Sequence, residues 1–573
     1  GGVILFVIAL AIAEQMGLPN VWIGYVFMAA TIGLYAMIGI MSRTAETDEY
    51  YVAGRSVPAL YNGMATGADW MSAASFIGMA GTLYAQGYDG LAFVMGWTGG
   101  YVLVALFLAP YLRKFGQYTI PDFLGARYGG NLPRTIGIIC AITASFTYVI
   151  AQIYGAGIIT SRFLGIDLAT GVWVGLIGVL VCSLLGGMRA VTWTQVAQYI
   201  VLIIAYLVPV VWLSIKVTGN PVPQLAYGEV LQQISVLEQQ LGVTAGHSTP
   251  FVKNDIVNFM ALTFCLMVGT AALPHILMRF FTTPSVKEAR KSVGWSLFFI
   301  FLLYFTAPAD AAFAKLEVYS NVIGQSIATL PAWVASWTQV GLVSVCDATN
   351  AAATIKGCVA NGNGDGILQL AELVLNADAI VLATPEIAGL PYVIAGLVAA
   401  GGLAAALSTA DGLLLTISNA LSHDVYYKMV NPNATAKKRL TVARILLLGV
   451  AAIAAFAASN APATILSIVA WAFSIAAAAF FPALVLGIFW KRANKAGAVA
   501  GMLVGFGLTL YYLINVKFLG MTPWFGIKDV SAGIFGIPLG FITIWAVSLM
   551  TAEPSQETKD MVEDLRYPRL AKG

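Results

Sequence analysis

Charged residues are scarce in this chain of 573 residues. Asp, Glu, Lys and Arg together make up 10% of the sequence, whereas hydrophobic residues make up 59%. A soluble globular domain carries about 25% charged residues, so this composition excludes an ordinary soluble protein. The long apolar runs also lack the strict alternation of a transmembrane barrel. The composition therefore predicts an all-α integral membrane protein.

Histidine and cysteine are also rare, with 3 and 5 residues. The histidines are too scattered for a zinc site, and the cysteines do not have the spacing of zinc ligands. The sequence contains neither a Gly-rich phosphate loop nor the pattern of a catalytic triad. Basic residues are sorted by membrane side instead of gathering in one patch. We therefore expect neither an enzyme nor a nucleic-acid-binding protein.

Thirteen apolar segments are long enough to be transmembrane helices. They are residues 21–42, 59–86, 89–112, 133–162, 169–188, 191–217, 255–281, 289–313, 388–423, 440–458, 463–490, 497–516 and 531–551. Residues 1–13 are apolar but too short to span a bilayer. They are interpreted either as the remnant of a signal-like segment or as an ordered stub.

The basic residues are distributed unevenly between the two sides of these helices. With the N-terminus outside, 23 of the 30 Lys and Arg residues fall in the inner segments and the tail. Because cytoplasmic loops are enriched in Lys and Arg, this bias places the N-terminus outside and the C-terminus in the cytoplasm. We expect a multi-pass protein of the bacterial inner (plasma) membrane, surrounded by lipid. The sequence does not predict its oligomeric state.

Segment 59–87 carries small and polar residues at its midpoint. Asp69 lies near the centre, and Ser72 and Ser75 follow it within two turns. A carboxylate at the centre of a spanning helix costs about 2.5–3.5 kcal/mol, so Asp69 must face protein, an ion or water. An unwound turn at this depth exposes backbone carbonyls that can coordinate a cation. We predict a discontinuous helix, interrupted near residues 67–69, that holds an ion.

A second interrupted helix is predicted at 255–281, where Gly, Ala and Pro residues cluster between 269 and 274. Each interrupted helix opens a run of five helices, and the odd number inverts the second run relative to the first. Paired broken helices of this kind indicate the binding site of a secondary transporter. The predicted architecture is a five-plus-five inverted-repeat core within about 13 transmembrane helices.

This architecture divides the chain into seven parts. They are an N-terminal stub (1–20), a leading helix with an inner loop (21–58), the first repeat (59–217), an extracytoplasmic loop with a surface helix (218–254), the second repeat (255–490) with an extracytoplasmic insert (314–387), two trailing helices (491–551) and a cytoplasmic tail (552–573).

Two adjacent hydroxyl residues, Ser408 and Thr409, lie inside the apolar segment 403–424. Hydroxyls and exposed carbonyls supply the oxygen ligands that a hard cation such as Na⁺ prefers. In membrane helices, however, Ser and Thr commonly hydrogen-bond back to the preceding turn. The two residues alone leave both interpretations open.

Five motifs have a recognisable combined pattern. They are GADWMSAASFIGMAG (67–81), GGMRAVTWTQVAQY (186–199), GTAALPHILMRFFT (269–282), EARKSV (288–293) and SHDVYYK (422–428). Together they resemble the sodium:solute symporter family, and within it the acetate permease-like branch. The resemblance covers about residues 21 to 550. It implies a Na⁺ site made by the main-chain carbonyls of Ala68 and Met71 together with Ala405, Ser408 and Thr409.

Two features bear on the ion. Many family members carry an Asp in the helix after the Gly-Gly turn, where this chain has Gln195, so we expect ion release to differ. Asp69 is a neighbour of the implied site. It is interpreted either as a group that neutralises the ion, gates the site or carries a proton, or as a structural carboxylate bonded at the break.

The solute is expected to be a small organic molecule, preferably a monocarboxylate such as acetate or pyruvate, held by hydroxyl or N–H donors near the membrane midplane. The candidate pocket residues are Ser72, Ser75, Gln152 and Thr270. His275, Arg279 and Gln195 are interpreted as gate residues, with a carboxylate clamp as the alternative role of Arg279. We expect a sodium-coupled symporter that imports its solute by alternating access. A proline-like amino-acid symporter, proton coupling and a transporter-shaped sensor remain alternatives.

The insert 314–387 has the donor spacing of a calcium loop. The donors are Asn361, Asn363, Asp365, the backbone of Ile367, and Glu372. A Ca²⁺ site of this kind would continue as a helix after Glu372, as in half of an EF-hand. The alternative is an Asn/Gly-rich turn that caps a short helix. Cys346 and Cys358 share the insert, and an extracytoplasmic location permits a disulfide between them.

Overall fold

The computed structural model describes residues 2–44, 46–346, 362–460 and 463–567, which are predominantly helical. Eleven helical segments within these ranges are long and apolar enough to cross a membrane. The two strands in these ranges, β1 (Val343–Val345) and β2 (Leu373–Leu375), pair antiparallel. The prediction of an all-α membrane fold is confirmed.

The helices fall into four groups along the chain. The leading group is α1 (Gly2–Gln15), α2 (Asn20–Met41) and α3 (Thr47–Val52). The first half of the core is α4 (Ala59–Trp70), α5 (Met79–Gln86), α6 (Leu91–Leu103), α7 (Ala109–Phe115), α8 (Ile120–Tyr128), α9 (Asn131–Leu164) and α10 (Leu168–Thr218), followed by the surface helix α11 (Pro223–Gln240). The second half is α12 (Ile256–Thr270), α13 (Pro274–Met278), α14 (Val286–Tyr304), α15 (Ala307–Asn321), α16 (Ala332–Gln339), α17 (Ile380–Ile387), α18 (Tyr392–Asn419), α19 (Ala436–Ala458) and α20 (Ile465–Phe489). The trailing group is α21 (Lys495–Phe518), α22 (Gly533–Met550) and α23 (Gln556–Arg566).

The predicted count of thirteen helices differs from eleven because of how two regions are divided. Residues Ala74–Phe115 form one apolar segment that contains parts of two predicted helices, separated at Gly87 with φ of 60°. Residues Leu168–Leu180 form a shorter apolar stretch, which is the first part of the 51-residue α10. About 20 residues are enough to cross a bilayer, so α10 corresponds to two predicted helices. They are divided at Gly187, where a φ of 56° interrupts right-handed helical geometry.

The N-terminal stub is ordered as α1. The Glu14 carboxylate accepts the backbone N–H groups of Tyr392 and Val393 at 2.8 and 2.9 Å. These N–H groups lie at the start of α18, where the first turn of a helix has no intrahelical acceptors. Helix α1 therefore caps α18. The boundaries of the seven predicted parts stay predictions.

The first break lies slightly later than predicted. Helix α4 continues through Trp70, Met71 and Ser72 are not helical, and the helix resumes through the π-helical turn Ala74–Gly78. A helical carbonyl normally bonds to the N–H four residues later, so a break at 71–72 removes partners from carbonyls that are still inside α4. The second break agrees with the prediction, because α12 ends at Thr270 and α13 begins at Pro274.

Small residues let α4 approach its neighbours closely. A Cβ atom at Gly63 would lie 2.5 Å from Cβ of Trp295 on α14. A Cβ atom at Gly412 on α18 would lie 2.5 Å from Oδ1 of Asp69. Small residues at helix interfaces permit this close packing inside membranes. Helix α4 is thereby held between α14 and α18.

The insert does not have the predicted EF-hand continuation. The residues after Glu372 form strand β2, so the helix predicted there is wrong. The Glu372 carboxylate accepts the N–H groups of Asn363 and Gln369 at 3.0 and 2.9 Å, and Asp365 accepts the N–H of Ile367 at 2.8 Å. These hydrogen bonds agree with the alternative interpretation, an Asn/Gly-rich turn that caps a short helix. Asn361 lies outside the described residues.

One predicted disulfide partner lies within the described ranges. Cys346 is disulfide-bonded. Its predicted partner, Cys358, lies outside the described residues, so the pairing stays a prediction.

Candidate ion and solute site

The end of α4 faces the middle of α18 through two hydroxyl groups. Oγ of Ser408 donates to the carbonyl of Ala68, and Oγ1 of Thr409 donates to the carbonyl of Asp69, both at 2.7 Å. Ser408 Oγ also lies 3.0 Å from the carbonyl of Ala405. All of these residues are buried. The hydroxyls therefore satisfy carbonyls that the break leaves without helical partners, and they bring several oxygen atoms together.

Met71, the fifth residue implied by the family resemblance, is the first residue after α4 and is fully buried. Its ψ of 66° departs from helical geometry. The structure thus joins Ala68, Ala405 and Ser408 by hydrogen bonds, and Thr409 bonds to the neighbouring carbonyl of Asp69. Met71 lies at the break beside them.

Asp69 forms a buried ion pair with Arg279. Nε of Arg279 donates to Oδ2 of Asp69 at 2.9 Å, and neither side chain has exposed surface. Oδ1 of Asp69 has no hydrogen-bond partner among the described residues. Breaking a buried pair by removing one partner typically costs about 3–5 kcal/mol. The pair connects the first broken helix to the 3-10 turn Arg279–Thr282 that follows the second.

Gln195 links this ion pair to the hydroxyl pair. Its Oε1 accepts a hydrogen bond from Nη2 of Arg279, and its Nε2 donates to the carbonyl of Ser408 at 2.6 Å. Nη1 of Arg279 donates to Thr192 at 3.1 Å. An Asp at position 195 would offer a charge to Arg279 but no donor to Ser408. Compared with the Asp of other family members, Gln195 therefore lacks a negative charge but adds a hydrogen bond to the carbonyl of Ser408.

The four predicted pocket residues have different roles in the structure. Oε1 of Gln152 accepts the N–H of Ala73 at 2.8 Å, which leaves its Nε2 without a partner in the described part of the chain. The hydroxyl of Ser75 is 2.9 Å from that of Tyr304. The Ser72 hydroxyl accepts the N–H of Ala74 at 3.2 Å, across the start of the resumed helix.

Thr270 is less available than predicted. Its hydroxyl donates to the carbonyl of Leu266 in its own helix at 2.7 Å. The side chain packs tightly on α6, because a Cβ atom at Gly100 would lie 2.3 Å from its Cβ. Thr270 therefore joins α12 to α6, and its hydroxyl already has an acceptor.

Aromatic side chains around the break were missed by the sequence reasoning. They are Trp70, Trp97, Tyr101, Tyr148, Tyr304 and Phe473. The Trp70 ring contacts Trp97 and Tyr101, with centroids 6.4 and 5.6 Å away. Trp70 adjoins Asp69 in the motif at 67–81, which was a usable signal, whereas Trp97 lies in α6 with no local marker.

His275, predicted to be a gate residue, belongs to this aromatic cluster. Its ring packs edge-on against Tyr148 with centroids 5.5 Å apart. Both ring nitrogens of His275, and Nε1 of Trp97, are buried without a hydrogen-bond partner within the described ranges. Unpaired buried polar groups of this kind are uncommon and require an explanation.

A cluster of metal-ligating side chains lies between α8 and the π-helical segment Ala420–Val430 that continues α18. Ligand atoms of Asp122, His423 and Asp424 lie within 4.8 Å of one another. Arg134 is 3.0 Å from Asp122, and Arg439 is 3.3 Å from Nδ1 of His423. These two cations already face the cluster and offset its negative charge.

Comparison with known proteins identifies the family. The model of the sodium:solute symporter family matches residues 50–331 and 358–505. The chain belongs to the sodium:solute symporter family. An uncharacterized symporter of Cupriavidus necator is 46% identical to this symporter over 99% of this chain and 97% of the relative. A monocarboxylic acid transporter of Corynebacterium glutamicum is 29% identical over 94% of this chain and 93% of the relative.

A solved structure supports the same fold. A Na⁺-coupled sialic acid symporter, in its substrate-bound outward-open state, matches this symporter with a TM-score of 0.69 at 18% identity, over 93% of this chain and 99% of that chain. The expected core with discontinuous helices is therefore confirmed. This symporter is a multi-pass membrane protein and a transporter, not an enzyme, as the sequence predicted.

Proposed function

We propose that this symporter couples the entry of Na⁺ to the import of a small monocarboxylate. The observation that carries the proposal is the contact of Ser408 and Thr409 with the carbonyls of Ala68 and Asp69. It joins the first broken helix to α18 by oxygen atoms only. A membrane potential supplies about 2.3 kcal/mol per charge per 100 mV, which drives accumulation of the solute.

The proposed Na⁺ ligands are Ala68, Met71, Ala405, Ser408 and Thr409. Support comes from the burial of these residues and from the unpartnered Oδ1 of Asp69 beside them. A carboxylate oxygen buried without a partner is costly, and a nearby cation removes that cost. In this proposal the hydroxyls turn from the carbonyls toward the ion when it binds.

The proposed solute pocket uses N–H donors at the break. Support comes from Nε2 of Gln152, Nε1 of Trp97 and the His275 ring, which are buried and lack partners in the described chain. Such donors suit a carboxylate. The monocarboxylic acid transporter among the relatives agrees with this choice.

The Asp69–Arg279–Gln195 group is proposed as the inner gate. It joins α4, α10 and the turn after α13, so an opening toward the cytoplasm must separate these elements. The proposed orientation places the N-terminus outside and the C-terminus inside, on the basis of the distribution of basic residues.

The test is uptake of labelled acetate, pyruvate and proline into proteoliposomes, with an inward Na⁺ gradient or with K⁺ in its place. We expect acetate or pyruvate to accumulate only with Na⁺. Ser408→Ala should raise the Na⁺ concentration for half-maximal uptake about tenfold or more, because it removes a ligand to a charge. Ser418→Ala is the matched control, since Ser418 lies on the same helix and donates to Ala443.

Three results would contradict the proposal. Accumulation of proline alone would replace the proposed solute class. Uptake that does not depend on Na⁺ would show that solute import is not coupled to Na⁺. Equal shifts in Ser408→Ala and Ser418→Ala would remove the assigned role of Ser408.

A further inference from the structure

A cavity of about 540 Å³ lies apart from the ion and solute site, among the ends of four helices. It is formed by the end of α8 and the beginnings of α9, α21 and α23, at the side predicted to be cytoplasmic. The residues that carry the argument are Arg127, Leu132, Asn494, Lys495 and Ser555.

Three helix N-termini meet at this cavity. Helices α9, α21 and α23 begin directly after Gly130, Asn494 and Ser555. A helix N-terminus carries about half a positive charge and several N–H groups without intrahelical acceptors, so it attracts anions. Asn494 and Ser555 cap their own helices, at 2.9 and 3.3 Å. Helix α9 has no side-chain cap, because Gly130 has no side chain.

Arg127 adds a buried cation to the cavity wall. The residue is 1% exposed; its Nε donates to the carbonyl of Gly487 at 2.6 Å, and its Nη2 lies near two further carbonyls. Its Nη1 has no hydrogen-bond partner among the described residues. Arg127 therefore brings a charge to the cavity wall, together with a buried donor that has no partner among the described residues, independently of the helix termini.

The other residues that carry the argument are an exposed lysine, a glutamate that is paired with another lysine, and an apolar side chain. Lys495 is exposed at the rim, and a Cβ atom at Gly130 would lie 3.4 Å from its Nζ. Glu553 is the acidic residue among the described lining residues, and it is paired with Lys559 at 2.5 Å. Leu132, which is 51% exposed, supplies an apolar wall at the level where α9 begins.

We propose that this cavity binds the phosphate group of an anionic ligand, with Arg127, Lys495 and the uncapped start of α9 as its partners. Two sources share this chemistry: the headgroup of an anionic phospholipid, whose acyl chain would lie along Leu132, and free phosphate. The proposal does not depend on the solute or on Na⁺ coupling.

The test is a binding titration of the full-length protein in detergent micelles with three probes. They are short-chain phosphatidylglycerol, inorganic phosphate and short-chain diacylglycerol, which lacks phosphate. Native mass spectrometry counts the bound lipid, and the thermal unfolding midpoint reports phosphate. Lys495→Gln should weaken binding of the phosphate-bearing probe about fivefold, in keeping with one basic residue near an anionic headgroup.

The controls separate this site from general surface charge. Lys438→Gln changes an exposed lysine in the first turn of another spanning helix, α19, and should leave binding unchanged. Because Arg127 also holds three carbonyls, the second variant is Lys495→Glu, which leaves those bonds intact and should abolish binding. Added salt should weaken binding, because the contact is partly exposed.

The outcomes distinguish the sources. Lys495-dependent binding of phosphatidylglycerol alone supports the lipid, and Lys495-dependent binding of inorganic phosphate as well supports the free anion. Equal binding of phosphatidylglycerol and diacylglycerol without phosphate binding would overturn the proposal. Equal losses in Lys495→Gln and Lys438→Gln would overturn it as well.

Discussion

Among single residues, the tightest constraint is the buried ion pair between Asp69 and Arg279. Arg279 is fully buried, yet each of its three guanidinium nitrogens has a partner: Asp69, Thr192 with Met188, and Gln195. A buried cation needs both a counter-charge and complete hydrogen bonding. Asp69 provides the counter-charge, and Gln195 completes the bonding.

We predict that the carboxylate can be moved from position 69 to position 195. Asp69→Asn should lower the free energy of unfolding by about 3–5 kcal/mol, because it leaves Arg279 buried without a counter-charge. Adding Gln195→Asp should recover much of this loss, since position 195 already contacts Arg279. Thermal unfolding in detergent of the two single variants and the double variant measures the coupling between the positions.

The same variants separate stability from transport. The double variant lacks both the Asp69 carboxylate beside the proposed Na⁺ site and the Gln195 donor to Ser408, so Na⁺-dependent uptake should stay low even where stability returns. Additive stability changes in the cycle would show that the two side chains do not share Arg279.

At the scale of elements, the contact between α4 and α18 depends on the absence of a side chain at Gly412. A Cβ atom there would meet Oδ1 of Asp69 at 2.5 Å, well inside van der Waals contact. The hydroxyls of Ser408 and Thr409 reach α4 only because the two helices are this close. Position 412 therefore requires glycine because α4 and α18 are so close together, and not because of a backbone conformation that only glycine adopts.

Gly412→Ala should lower Na⁺-dependent uptake about tenfold or more and destabilise the protein by about 1–3 kcal/mol, as overpacked cores do. The extra methyl group would meet the Asp69 carboxylate, so either α18 or the Asp69 side chain, which Arg279 holds, must shift. Gly449→Ala on α19 is the matched control, because no atom lies within 4 Å of its added Cβ, and Ala favours a helix over Gly. Uptake assays and unfolding midpoints of both variants check this. Equal behaviour of the two variants would show that the spacing is adjustable.

On the scale of the whole molecule, the insert closes over the start of the core. The carbonyl of Ala377 would lie 1.7 Å from a Cβ atom at Gly81, and Oδ2 of Asp378 accepts the N–H of Ile465 at 3.2 Å. The insert thus joins the first broken helix to α20. Burial raises the pKa of Asp378 to about 7, although the bond from Ile465 opposes this.

This shift predicts a loss of stability as the pH rises. The carboxyl has a pKa near 4 in the unfolded chain and about 7 in the folded protein, so the folded state binds more protons between these values. Unfolding free energy should therefore fall from about pH 4 to about pH 7 and change little above that range. Asp378→Asn should remove this contribution, because the amide does not titrate.

Thermal unfolding of wild type and Asp378→Asn across this pH range provides the measurement. The two proteins should have similar midpoints at the acidic end, where Asp378 is protonated and neutral, and the variant should be more stable at the neutral end. Parallel profiles for both proteins would contradict the role of Asp378.

The sequence alone determined the membrane class and both broken helices, because apolar length, small-residue clusters and proline act locally along the chain. The resemblance of five sequence motifs indicated the family, which the family model confirmed. The predicted first break, near residues 67–69, lies a few residues early. The reason is that the carbonyls that lose their N–H partners lie about one turn before the residues that leave the helix. The EF-hand continuation was wrong, because the Asn/Gly spacing also suits a capped turn and the strand after Glu372 depends on its pairing with β1.

Only the tertiary structure decided that Asp69 pairs with Arg279, 210 residues away, and that Ser408 bonds to Ala68 and not to its own helix alone. Such contacts depend on how helices pack, and no periodicity within one helix records its neighbour.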